Sequence, residues 1–160
     1  MGSDIPSIKF DKSRVSEDIK KALYADINGL PYIPTQLREA LYGAALESIS
    51  KGRDLALLTR WLVEQDVPGI DKGQASAIAR FLNNRATVRM RINREASNGI
   101  SESIWIHSGA PCLCPNAAEH LRANGTRYGL RDGLLINGVP SWPGMDEGCK
   151  CTWKAVIPGF

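Results

Sequence analysis

The sequence predicts an α+β protein, with a helical N-terminal part containing one long helix followed by a small β-containing C-terminal lobe. Three observations predict it. Apolar residues recur at helical spacing from Val15 to Ile92, and that period is lost after Gly99. All four cysteines and both histidines fall after the change. At 160 residues the chain fits one domain, or a helical half joined to a small second lobe. Its 43% hydrophobic and 23% charged content belongs to a globular chain rather than to a disordered one.

Residues 1–10 carry Pro6 and no helical period, so they are expected to form an extended arm ahead of a helical region over 11–98. Val15, Ile19, Leu23 and Ile27 recur every four residues and predict a first helix that stops at Asn28-Gly29. Thr35 is expected to cap a second helix, with Leu37, Leu41, Ala45 and Ile49 on one face and Gly52 as its stop. Leu55, Leu58, Leu62 and Val63 predict a short third helix, terminated by Pro68-Gly69. Asp71 is expected to cap the longest helix, whose buried stripe is Ile78, Phe81, Leu82, Val88 and Ile92 and whose end is Asn98-Gly99.

Residues 99–160 are expected to form the small α+β lobe. Strands are predicted over Ser103–His107, Gly133–Asn137 and Thr152–Ile157, with a helical turn over Asn116–Ala123. Trp105, Trp142 and Trp153 are expected in the lobe's core and Trp61 in the helical part. So small a lobe needs a staple: the long helix, a metal ion, or both.

The net charge of +3 does not by itself argue for nucleic acid. Its distribution is more informative, because Arg80, Arg85, Arg89, Arg91 and Arg94 occur with no acidic residue among them. Arg80, Asn84, Thr87, Arg91 and Arg94 share one polar face of the long helix. Such a stripe suits contact with phosphates or a partner, and equally a solvated face. Arg85 and Arg89 lie nearer the apolar stripe and are expected to meet acids of the lobe, such as Glu102 or Asp132. The longest apolar runs, such as Leu55–Leu58, are too short for a membrane span. The first residues lack a secretory pattern, so the cysteines are expected to be reduced.

Cys112-Leu-Cys114 and Cys149-Lys-Cys151 place four soft ligands at two short turns. Zinc takes four such ligands in a tetrahedron, which makes Cys112, Cys114, Cys149 and Cys151 a candidate structural site, with His107 or His120 as substitute ligands. Reduced cysteines packed as small hydrophobes, or disulfides in one of three pairings, are the alternatives. A nucleophilic site made of Cys112 or Cys114, His107 or His120, and Glu119 or Asp146 has suitable residue types. His107, beside Ser108-Gly109, is also suited to holding a turn through a backbone hydrogen bond.

From about Val15 to Gly159 the chain resembles the phage Mu protein F-like family of minor head proteins. The resemblance rests on Gly52-Arg-Asp-Leu55, Ala75-Ser-Ala-Ile-Ala-Arg80 with Asn84, Trp105-x-His107-Ser-Gly109, His120-x-x-Ala123-Asn-Gly125, Gly133 with Leu135 and Gly138, Pro143-Gly144 and Cys149-Lys-Cys151. The closing cysteine, commonly preceded by Asn in that family, follows Gly148 here. The resemblance implies a non-enzymatic virion protein that associates with portal and capsid proteins. It would assist head assembly or accompany packaged DNA, at the capsid interior or portal vertex and, during assembly, in the host cytoplasm. It implies no small-molecule substrate. The other readings carried by the residues are a zinc-stabilised nucleic-acid-binding adaptor and a phage-borne effector enzyme.

Overall fold

The computed structural model describes residues 15–110 and 113–160, so the arm expected at 1–10 lies outside the described residues. The architecture is α+β, as expected. The chain divides into two compact units, the first ending at Ala79 and the second spanning Arg80–Phe160. The division falls inside the longest helix.

In the first unit, α1 (Glu17–Asn28) starts where the Ser16 hydroxyl accepts from the Ile19 N–H, and it buries Ile19, Leu23 and Ile27. The second helix differs from expectation at its start. Thr35 opens a 3-10 turn, Thr35–Leu37, with no side-chain cap, and α2 proper is Arg38–Ser50. The cause is Pro34, whose carbonyl takes the Leu37 N–H at 2.9 Å and so closes a tighter turn first. Asp54 caps α3 (Leu55–Glu64) by accepting from the Leu57 N–H at 3.0 Å. Asp71 does the same for α4 (Lys72–Ser97), accepting from the Gln74 N–H at 2.8 Å. Each cap satisfies an amide that the first helical turn leaves without a partner, worth about 1 kcal/mol.

In the second unit α4 ends where Gly99 takes φ +84°, and the Ile100 N–H returns to the Glu95 carbonyl at 3.1 Å. A three-stranded antiparallel sheet follows in the order β2–β1–β5, with β1 (Glu102–Ile106) central between β2 (Arg127–Gly129) and β5 (Thr152–Val156). The helix α5 (Ala117–Ala123) lies between β1 and β2 in sequence. A separate hairpin pairs β3 (Leu134–Ile136) with β4 (Val139–Ser141). Its turn is Asn137-Gly138, both at positive φ, the type I′ pattern that matches strand twist.

The register sets Trp105 opposite Trp153 and Ser103 opposite Tyr128, so these side chains share one face of the sheet. That face joins Val88 and Ile92 of α4, together with Leu130, Met145 and the three described cysteines, in one buried cluster. Trp105 is fully buried, Trp153 nearly so, and Trp142 is half-buried with its Nε1 donating to the Leu130 carbonyl at 2.7 Å. The lobe leans on the long helix, as its small size requires. Among the described residues no helix is long and apolar enough to cross a membrane.

Candidate metal centre

Three side chains converge inside the second unit. Cys114 sits at the turn that opens α5, where its carbonyl accepts from the Ala117 N–H at 3.2 Å. His120 lies one and a half turns further along and points inward. Cys149 ends a tight turn whose N–H returns to the Asp146 carbonyl at 3.0 Å. Their ligand atoms, Cys114 Sγ, His120 Nδ1 and Cys149 Sγ, all lie within 4.8 Å of one another, and all three residues are buried. Nδ1 is 3.3 Å from Cys114 Sγ and 3.5 Å from Cys149 Sγ. Tetrahedral zinc with ordinary bond lengths separates an imidazole nitrogen from a thiolate by about 3.5 Å. The group can hold a metal ion.

The surroundings favour that chemistry. The Gly144 N–H donates to Cys149 Sγ at 3.3 Å, and an amide proton aimed at sulfur favours the thiolate. Gly144 stands at φ +86°, in the region open to glycine, and a Cβ there would come 3.3 Å from Val88 Cγ2. Gly148, at φ +75°, lets that turn approach the Leu113 backbone, because a Cβ would meet it at 3.4 Å. Gly148 holds a left-handed conformation that Gly and Asn enter readily.

The His120 ring is held on three sides. The Trp105 ring packs against it at 4.9 Å with a 53° tilt. Burial pushes its pKa below the usual histidine range, against the opposing pull of the Asp146 and Glu119 carboxylates. The shift favours the neutral ring, the form that binds metal. Its Nε2 stands 3.3 Å from Asp146 Oδ2, out of line for a well-formed hydrogen bond.

Of the residues the sequence singles out, Cys114, Cys149 and His120 converge into a group that could hold a metal ion. His107 does not. Its Nδ1 accepts from the Gly109 N–H at 3.1 Å and holds a turn, while its own N–H donates to Asn124 Oδ1. Cys151 is buried two residues beyond Cys149, but its thiol is not among the converging atoms. Cys112 lies outside the described residues. None of Cys114, Cys149 and Cys151 is in a disulfide.

The helix stripe is divided. Arg80 and Arg94 are exposed and Asn84 is half-buried. Arg91 is engaged with the lobe: it donates to Glu95 at 2.7 Å, to Thr152 Oγ1 at 3.1 Å and to the Trp153 carbonyl at 2.9 Å. Arg85 donates to the Met145 carbonyl at 3.0 Å, and Glu102 is met by Arg127.

The residues that sequence reasoning missed are Asn116 and Glu95. Neither belongs to a short motif, and both matter only through partners 30 or more residues away, Asp146 for the first and Trp153 for the second.

Fold and cluster together define a small α+β lobe with a buried cysteine–histidine centre. Compared with known proteins, the chain matches no described family, no curated protein and no solved structure.

Proposed function

We propose that the chain is a structural minor head protein of a tailed phage, whose C-terminal lobe is closed by a zinc ion held by Cys114, His120 and Cys149. One observation supports this most. Several of the residues that carry the resemblance to the Mu F-like family, Trp105, His120, Gly144 and Cys149 among them, build the buried centre or its immediate surroundings. Trp105 packs on His120, Gly144 donates to Cys149, and Asn124 fixes the backbone at His107. A motif used for closure leaves the role of the protein to its surfaces. Zinc would supply cross-linking here, joining the turn before α5 to the turn before β5 across the lobe.

The partners in this reading are portal and capsid proteins, with packaged DNA as a further contact. The test is a pull-down of the chain from infected or induced cells. Portal or capsid protein in the eluate is the expected result, and host protein or nucleic acid alone would overturn it. A second reading, a zinc-stabilised nucleic-acid-binding adaptor, draws on the exposed Arg80 and Arg94 of α4. Salt-dependent DNA binding without portal or capsid capture would favour it.

A further inference from the structure

The far side of the His120 ring carries its own chain of polar groups. His120 is 1% exposed, and its Nε2 has no well-aligned acceptor among the described residues. The carboxylate facing it belongs to Asp146, with Oδ2 at 3.3 Å. That carboxylate is itself oriented, because Asn116 Nδ2 donates to the same Oδ2 at 3.1 Å. Asn116 cannot flip its amide without loss, since its Oδ1 accepts from Asn137 Nδ2 at 3.2 Å. Asn137 is the first turn residue of the β3–β4 hairpin, at φ +51°. A line of three side chains thus runs from a surface turn to a buried ring.

A neutral imidazole has one N–H, and the environment decides which nitrogen bears it. With the proton on Nδ1, the Nε2 lone pair would face the Asp146 carboxylate, two electron-rich atoms opposed in a poorly solvated site. With the proton on Nε2, the N–H faces the carboxylate and the Nδ1 lone pair faces both sulfurs. We propose that Asp146, held by Asn116 and Asn137, is a positioning residue that fixes the Nε2–H tautomer of His120 and so presents Nδ1 as the ligand atom to a metal shared with Cys114 and Cys149. Asp146 is not itself a ligand of that ion, because it addresses the opposite nitrogen. Partners of this kind orient metal-bound histidines and raise their basicity, and their loss typically weakens binding about 10- to 100-fold. The affinity part of the inference rests on the metal reading of the cluster; the tautomer part does not.

The experiment separates the two. In the reduced, metal-free full chain, long-range proton–nitrogen NMR at roughly pH 8, where imidazole is neutral, reads the His120 tautomer directly. The expected result is Nε2–H in the wild type and loss of that preference in Asp146→Ala. Zn2+ affinity, read by competition with a chromophoric chelator, should fall 10- to 100-fold in Asp146→Ala. Asp146→Asn, which keeps an acceptor oxygen, should fall between. Asp146 is partly exposed in a turn, and a melt of each metal-free variant checks its fold. Two results overturn the inference: an Nδ1–H tautomer in the wild type, or an unchanged tautomer and affinity in Asp146→Ala. A wild type that takes up no Zn2+ overturns the metal centre instead, and the tautomer still decides the role of Asp146.

Discussion

The guanidinium of Arg91 lies 4.0 Å above the ring of Trp153, and Glu95 accepts from both residues, from Arg91 Nε and from Trp153 Nε1, each at 2.7 Å. One arginine therefore joins α4 to β5 through a stacked face and hydrogen bonds to Thr152 and the Trp153 carbonyl, while its ion pair with Glu95 stays within α4. A half-buried cation over an aromatic face contributes about 1–2 kcal/mol, and each charge-assisted hydrogen bond about as much again. A solvent-exposed pair would give far less.

Arg91→Ala is therefore expected to destabilise the second unit by about 2–3 kcal/mol, measured by urea unfolding followed through tryptophan fluorescence. Arg91→Lys should recover little, because an ammonium cannot reproduce the planar stack and the forked donors together. Wild-type stability in the lysine variant would show that charge alone mattered.

Metal removal gives the second prediction. An ion that binds the folded form at about 1,000 times its dissociation constant stabilises by about 4 kcal/mol. Chelation should lower the melting temperature of the lobe, and Zn2+ should restore it. Cys114→Ser and Cys149→Ser should each lose that response. Cys151→Ser should keep it, since its thiol stands outside the converging group. Equal loss in all three variants would argue for a thiolate set wider than the geometry gives.

Much of this fold was legible, for physical reasons that differ by region. The apolar spacing of Ile19, Leu23 and Ile27 and the capping residue Asp71 are local signals, and the helices formed where those signals stood. The strands β2 and β4 were missed because each has three residues, too few to show an alternating pattern. The Asn137-Gly138 turn was the available sign of the hairpin. At the site, residue types were readable and partnership was not. Two thiols and a histidine converge because α5 and the turn before β5 meet in space, whereas the pairing of Cys149 with Cys151 in sequence pointed to four thiolates. Arg91 looked like part of a cationic surface because sequence shows which helix face it occupies but not that β5 covers that end of it.

Tyr128 carries the third prediction. Its hydroxyl is buried with no hydrogen-bond partner among the described residues, and burial pushes its pKa well above the ordinary tyrosine range, with Arg91 opposing and Glu95 reinforcing the shift. The folded state thus favours the neutral phenol. Its contribution is fully present below about pH 10, where an unfolded tyrosine ionises, and is lost as pH rises above that value. The wild-type lobe should lose stability on the alkaline side. Tyr128→Phe should flatten that limb and be neutral or slightly stabilising at pH 7, because it removes an unsatisfied buried group. A loss of more than about 1 kcal/mol at neutral pH would reveal a partner for the hydroxyl.

The last prediction concerns what remains of the helix stripe. With Arg91 engaged by β5, the exposed cations of the original set are Arg80 and Arg94, 14 residues apart and therefore separated by roughly 21 Å along α4. Two cations at that distance on one helix can each meet a phosphate, and each contact releases about one condensed counterion. If packaged DNA is a partner, Arg80→Ala with Arg94→Ala should weaken duplex binding across sequences alike. The slope of log affinity against log salt should drop by about 2. Melting temperature should not change, since neither side chain is buried. Arg91→Ala offers the contrast, because it should lower stability first and affinity only through the fold. Binding that ignores the double substitution, with an unchanged salt slope, would return these two arginines to a solvated face and leave the DNA contact without support on this helix.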